Sequence, residues 1–197
     1  MRAHARPTPI RTLLVSVAAA GVLVGSAQAA TIERRYDPFT ADGQPDPSLR
    51  ITDRFGDASC GGGSDVTGRT DAWRCHSGHF ILDPCFVNPA QSVAVCPGDP
   101  LTGRAALLDD PVLDPEGAST SDRSTVWAVR TAGRTCVASS GAKSVIRGRV
   151  PYYFCRPGFR TVVWGPLDRH HAIWRALLGG YKHPEAWRWR NVSIVWR

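Results

Sequence analysis

The chain has 197 residues, 43% of them hydrophobic and 21% charged, with a formal net charge of +7. That length suits one domain. The composition is globular, which excludes a disordered, collagen-like or coiled-coil protein, and the length excludes a large multidomain enzyme.

The N-terminus carries Arg2, Arg6 and Arg11, followed by an apolar run over 13–24 and then Gly25, Ser26, Ala27, Gln28 and Ala29. A basic start, a short apolar run and an Ala-x-Ala site predict a secretory signal peptide over 1–29, cut after Ala29. As a helix such a run reaches only about 18 Å, too short to cross a bilayer core. No second run of spanning length follows. The expected product is therefore secreted, with no membrane span after signal removal. Residues 30–48 hold Pro38, Pro45 and Pro47 and read as a flexible N-terminal arm. Residues 49–197 read as a single disulfide-stabilised, β-rich domain.

Short β-prone runs are predicted over 49–55, 79–82, 92–96 and 104–108. Gly61, Gly62, Gly63 and Ser64 read as a flexible loop, and 109–122 as a polar, acidic one. Residues 125–131 alternate in a strand pattern, Ala132-Gly133 turns the chain, and 134–139 returns as a hairpin. Further runs fall at 150–155, 160–164 and 187–196. Strands at this spacing predict a mainly β fold, sandwich- or barrel-like, with antiparallel strands. One segment leaves two structures open. A short helix near 169–178 would use Asp168 as N-cap and Gly179 as stop. A strand over 171–178 fits the β-rich surroundings.

All six cysteines, Cys60, Cys75, Cys85, Cys96, Cys136 and Cys155, follow the apolar run. An even count in an exported chain reads as three disulfides. Sequence neighbours are favoured as partners: Cys60–Cys75, Cys85–Cys96 and Cys136–Cys155.

The block Asp71-Ala72-Trp73-Arg74-Cys75, with Asp83-Pro84-Cys85-Phe86 and Cys96-Pro97 after it, resembles a group of small exported, disulfide-bonded proteins and ectodomains from actinobacteria. Further matching pieces are Trp127-Ala128-Val129, the Tyr152-Tyr153-Phe154-Cys155 run, Trp164-Gly165 and Val195-Trp196-Arg197. The resemblance covers about residues 55–197. It implies a secreted disulfide-bonded domain, implies no catalytic residues, and favours the strand over 171–178. Here His170-His171 follow Asp168-Arg169 where such proteins often continue Ser-Gly, a departure within that segment.

Charge is split along the chain. Residues 30–122 hold fifteen acidic residues against seven arginines, whereas 123–197 hold fourteen basic residues against two acidic ones. Either the halves neutralise each other, or the basic half meets an anionic polymer. Within it, Trp187, Arg188, Trp189 and Arg190 are the candidate binding residues: in a strand the tryptophans share one face and the arginines the other. Beyond Asn191 the apolar face shifts to Val192, Ile194 and Trp196, which predicts a bulge or a change of buried face there.

Catalytic motifs are weak. Gly61-Gly62-Gly63-Ser64 lacks the glycine that a nucleophile elbow places two residues after the serine. Cys75-His76-x-x-His79 has metal-ligand residue types, but Cys75 is expected in a disulfide. His170-His171 beside Asp168, and His183-Pro184-Glu185, are possible acid–base groups without a selected pair. No catalytic residue, metal or cofactor is assigned. The expected function is a non-catalytic binding or interaction module at the cell envelope. Its partner would be an anionic envelope polymer or a secreted protein, and no nucleic acid. A secreted hydrolase with an unrecognised site and a secreted inhibitor or toxin-like protein are the alternatives.

Overall fold

The computed structural model describes residues 30–114, 125–141, 143–182 and 186–197. The predicted signal peptide, residues 115–122 of the acidic loop and His183-Pro184-Glu185 lie outside these described residues. The chain forms two β-structures in sequence order, and no helix occurs among the described residues.

The first sheet follows a short strand β1 (Ile32–Arg34) and runs in the order β2-β7-β6-β5-β4-β3-β8. Its strands are β2 (Arg50–Phe55), β3 (Ser59–Gly63), β4 (Ala72–Ser77), β5 (Phe80–Val87), β6 (Val93–Asp99), β7 (Arg104–Asp109) and β8 (Val112–Leu113). The β2–β7 and β3–β8 pairs are parallel and the others antiparallel. One face buries Trp73, Val87 and Leu108 together with Cys60, Cys75, Cys85 and Cys96.

The second structure is a closed six-stranded barrel. It comprises β9 (Ala128–Thr131), β10 (Arg134–Ala138), β11 (Pro151–Cys155), β12 (Thr161–Trp164), β13 (Arg175–Gly180) and β14 (Arg188–Trp196). Every pairing is antiparallel, and β14 returns to β9 to close the ring. Closure removes the exposed edges that a sheet otherwise presents. Alternate side chains point inward, and the interior is filled by Val129, Tyr153, Val163, Ala176, Val192, Val195 and the Cys136–Cys155 bridge. The Tyr153 hydroxyl donates to the Val126 carbonyl at 3.0 Å, and burial pushes it up to about 12.

All three favoured disulfides are present, each across neighbouring antiparallel strands. Cys60 faces Cys75 and Cys136 faces Cys155 in register, while Cys85 and Cys96 adjoin the Phe86–Val95 pair. The predicted hairpin turns at Ala132 and Gly133, both with positive φ (47° and 74°), the geometry of a type I′ turn. The predicted bulge lies between Val192 and Ile194. It moves the buried parity, so that Val192 and Val195 both enter the barrel while Ile194 and Trp196 face the first sheet.

Three elements differ from expectation, while the segment left open between helix and strand resolves as the favoured strand and the short helix near 169–178 does not form. Residues 175–180 are strand β13, held between β12 and β14, and Asp168 bridges Arg175 instead of capping a helix. Propensity yields here to two flanking strands. The glycine loop at 61–63 belongs to strand β3, because the Cys60–Cys75 bridge and pairing with β4 fix glycines that have little strand preference of their own. Strand β4 passes through the Trp73-Arg74-Cys75 block, which alternation alone did not mark. Finally, the arm over 30–48 is docked. β1 runs parallel to β14, the Thr31 hydroxyl donates to the Val192 carbonyl at 2.7 Å, and Tyr36 is buried against Phe86 and Trp127.

The two structures meet at an aromatic cluster of Tyr36, Phe86, Trp127 and Trp196 with Val66 and Ala72. Arg69 threads through this junction at 2% exposure. Its guanidinium donates to the carbonyls of Tyr36 (2.5 Å) and Arg197 (3.2 Å) and to the Asp71 carboxylate (2.8 and 2.5 Å), and it lies 4.5 Å from the centre of the Phe86 ring. One side chain thus ties the arm, the first sheet and the end of β14 together.

Candidate functional site

The barrel's hairpin topology collects cations that are far apart in sequence. The register places the 132–133 turn, the 156–160 turn and the connection from β13 to β14 at one end. Arg134, Arg156, Arg160, Lys182, Arg188 and Arg190 come from these segments, and all but the half-buried Arg156 are exposed. Asp53 and Asp83 of the first sheet line the same cleft as Arg156, and Glu185 of the β13–β14 connection lies outside the described residues. Asp168 is held by Arg175, which donates to its carboxylate at 2.5 and 3.0 Å and also lies against Trp189. That pairing holds the Asp168 carboxyl below the usual carboxylate range.

Among the described residues most ion pairs stay within one half of the chain, and Arg197–Glu33 joins the two halves. The first sheet pairs its own charges, as in Arg54–Asp109 and Arg74–Asp65, and Arg69 takes Asp71 and Asp37. The barrel pairs Arg175 with Asp168, and Arg197 reaches Glu33 on the arm. Like charges gathered on a low-dielectric body raise the local potential and concentrate anions.

Trp187 precedes β14, Arg188, Trp189 and Arg190 open it, and the strand residues divide by face. Trp189 stands opposite Leu177 on the outer face, while Arg188 and Arg190 stand opposite Leu178 and Ala176. Trp187 is half-buried, packed on Trp164 at 5.5 Å and resting on Gly179, where a Cβ would collide with its ring. Its other partner is Arg149, 4.9 Å from the ring. Trp189 is 48% exposed, with Arg175 at 5.5 Å from its ring. Trp187 therefore serves the outer aromatic cluster, and Trp189 with the two arginines forms the accessible part.

A cleft of about 630 Å³ opens between the first sheet and the barrel. Thr52, Asp53, Asp83 and Arg104 line one side, and Ser139, Ser140, Phe154, Arg156 and Phe159 the other. Sequence reasoning missed it, because its walls come from strands that only the packing of two sheets brings together. Arg156 lies 5.0 Å from the centre of the Phe159 ring, and its Nε is buried without a hydrogen-bond partner. Phe159 is half exposed at the rim, with a left-handed φ of 53°. A bulky side chain rarely takes that conformation.

Asp83, on the other wall, accepts from the Ser64 hydroxyl and from the Asp65 N–H at 3.1 Å. Burial pushes its carboxyl up to about 6, against the pull of these hydrogen bonds; the Asp65 carboxylate adds to the rise and Arg74 opposes it. The native state thus holds the Asp83 proton more tightly than the unfolded chain does. Stability from this group is fullest below pH 4 and is lost as pH rises through 6. The shift corresponds to a difference of up to about 3 kcal/mol. Urea midpoints at pH 4.5 and 7.5 should differ in that sense for the parent chain. Asp83→Asn retains an acceptor for Ser64 and should flatten the difference; an unchanged slope would place the titrating group elsewhere.

The remaining sequence candidates are dispersed. Cys75 is bonded to Cys60, so its sulfur is not a thiolate ligand, and His76 and His79 are exposed beside it. Ser64 shapes a turn: the N–H groups of Val66 and Thr67 donate to its oxygen at 3.2 and 3.1 Å, and its own proton goes to Asp83. His170 and His171 are exposed beside Asp168 and Arg175. No protein-family model, no curated protein and no solved structure matches this chain.

Proposed function

We propose that this chain is a secreted, non-catalytic binding module that grips an anionic polymer of the cell envelope through the cationic end of its barrel. The observation that carries the reading is the set of six cations contributed by three connections and the start of β14, five of them exposed. Arginine suits this task, since its planar fork matches carboxylate and phosphate oxygens and its face stacks on aromatic rings. Three disulfides are compatible with an extracellular setting. The resemblance of the Trp73–Cys96 block to exported actinobacterial proteins supports the same compartment. No helix among the described residues is long and apolar enough to cross a membrane.

Cosedimentation of the oxidised protein with purified envelope material tests the reading. Binding should fade steeply between low and high salt, as expected for ion exchange on a charged polymer. Arg188→Gln with Arg190→Gln should weaken binding several-fold. It should also reduce the slope of log affinity against log salt by about two, one for each lost contact. Salt-insensitive binding, or a double variant that binds like the parent, would discard this site.

A further inference from the structure

We infer that the cleft between the first sheet and the barrel is a second binding site, for a carboxylate-bearing sugar unit of the hexuronate type. The inference rests on the cleft, which shares Arg156 with the cationic end but not Arg188 or Arg190. Three features of its walls define the ligand's chemistry.

The first is a cationic pair. Arg104 and Arg156 both line the cleft, one from each structure, and the Arg156 head reaches across to Gly98 of β6. Arg156 Nε is buried with no hydrogen-bond partner. The two guanidinium groups that line the cleft suit a carboxylate, which a guanidinium can hold by two parallel N–H bonds.

The second is a ring face. Phe159 stands at the rim in a conformation that costs free energy, and such residues concentrate at ligand clamps. Its ring presents an apolar face of the kind that stacks on the C–H face of a sugar.

The third is a set of acceptors. Asp53 and Asp83 keep carboxylate oxygens on the wall opposite Ser139 and Ser140. Asp83 already accepts from Ser64 and the Asp65 N–H, and Asp53 from Thr52, but each carboxylate has further lone pairs that a bare aromatic acid could not serve. A hydroxylated acid supplies O–H donors to the carboxylates while its own carboxylate goes to the arginines. The volume, about 630 Å³, lies within the range of pockets that enclose small ligands.

Titration calorimetry of the oxidised protein with a galacturonate trisaccharide, the matching neutral galactose trisaccharide and inorganic phosphate tests this. The acidic trisaccharide should bind, and the neutral one should bind at least about tenfold more weakly, the loss expected when a charged hydrogen-bonded pair is not made. Arg156→Met, which keeps an apolar stem against Phe159, should weaken the acidic trisaccharide by about 10–100-fold. Arg104→Gln on the exposed side of the cleft should weaken it in the same direction, and it provides the test should Arg156→Met fail to fold. Equal binding of the neutral trisaccharide, unaltered binding by a folded Arg156 or Arg104 variant, or no binding of the acidic trisaccharide to the parent protein would overturn the inference. Phosphate that binds as tightly as the trisaccharide and competes with it would reduce the site to an anion site and overturn the sugar assignment. Cosedimentation with envelope material reports the barrel end and this titration reports the cleft, so either reading can fail without the other.

Discussion

Replacing Arg69 with methionine should lower the stability of the oxidised protein by about 3–5 kcal/mol, the usual cost of deleting one partner from a buried charged network. Methionine fills much of the same volume, so a cavity contributes little to this loss. Unmade hydrogen bonds account for it. The carbonyls of Tyr36 and Arg197 lose their guanidinium donor, and Asp71 loses a two-bond partner. Phe86 also loses the cation against its face. Arg69→Lys should recover only part of the loss, because an ammonium cannot reproduce the planar fork that serves a carboxylate and two carbonyls together. Urea unfolding measures both variants. A second readout separates loss at the junction from general weakening. Trypsin should cut the methionine variant early at Arg34 or Arg35, since those residues stay docked only while Tyr36 and the end of β14 hold their places. A loss under about 1 kcal/mol, with the arm still protected, would assign the junction to its aromatic cluster alone.

Reduction of the three disulfides should unfold the protein at moderate temperature. Their sequence separations are 15, 11 and 19 residues. Loop closure of that size contributes about 3 kcal/mol each, so together they approach the whole stability of an ordinary domain, about 5–15 kcal/mol. The bridges also form part of both cores, with five of the six cysteines fully buried, so their thiols would be left in apolar surroundings. Cys136→Ala with Cys155→Ala isolates the barrel's single bridge and should cost about 3 kcal/mol. Thermal melts with and without reductant give the first result, and melts of the double variant give the second. A reduced protein that melts within a few degrees of the oxidised one would show that the packed faces suffice without covalent closure.

Much of this fold is written in local signals. The Ala132-Gly133 turn is legible because a two-residue hairpin demands positive φ at both positions, and the flanking alternation supplies its strands. The neighbouring-cysteine pairing follows from strands that run antiparallel beside their predecessors, which brings sequence neighbours into register. The change of apolar phase after Asn191 marks a bulge that the structure places at Val192–Ile194. Other elements depend on partners that sequence does not display. Strand β3 has three glycines and is a strand only because β4, β8 and a disulfide hold it. Residues 175–180 have helix-compatible composition, yet they become strand because β12 and β14 leave a ladder position open between them. Arg69 looks like an ordinary surface residue in sequence, and its burial depends on the meeting of the arm, Phe86 and the last strand.

The candidate sites follow the same division. Arg188 and Arg190 are conspicuous as an alternating Trp-Arg tail. Arg134, Arg156, Arg160 and Lys182 join them only through barrel closure, so the extent of the cationic end is a property of topology. The cleft is further removed still from local pattern. Arg104 and Arg156 belong to different sheets, and their shared space appears only when the two structures pack.

Strand β14 has three neighbours: β13 along its first half, β9 along its second, and β1 beside its end. A chain emerging from its amino end can assemble the first sheet early, because nearly all its pairings lie within residues 50–113. The barrel has to wait. Until β14 has followed the other five strands, β9 and β13 are open edges, and Tyr36, Phe86 and Trp127 lack the tryptophan that completes their cluster. The arm has no ladder to join, and Arg69 has no Arg197 carbonyl to hold. Closure by the latest strand makes this a fold completed in one late step, and mispairing or aggregation is most to be feared just before that step, while both edges stand unprotected.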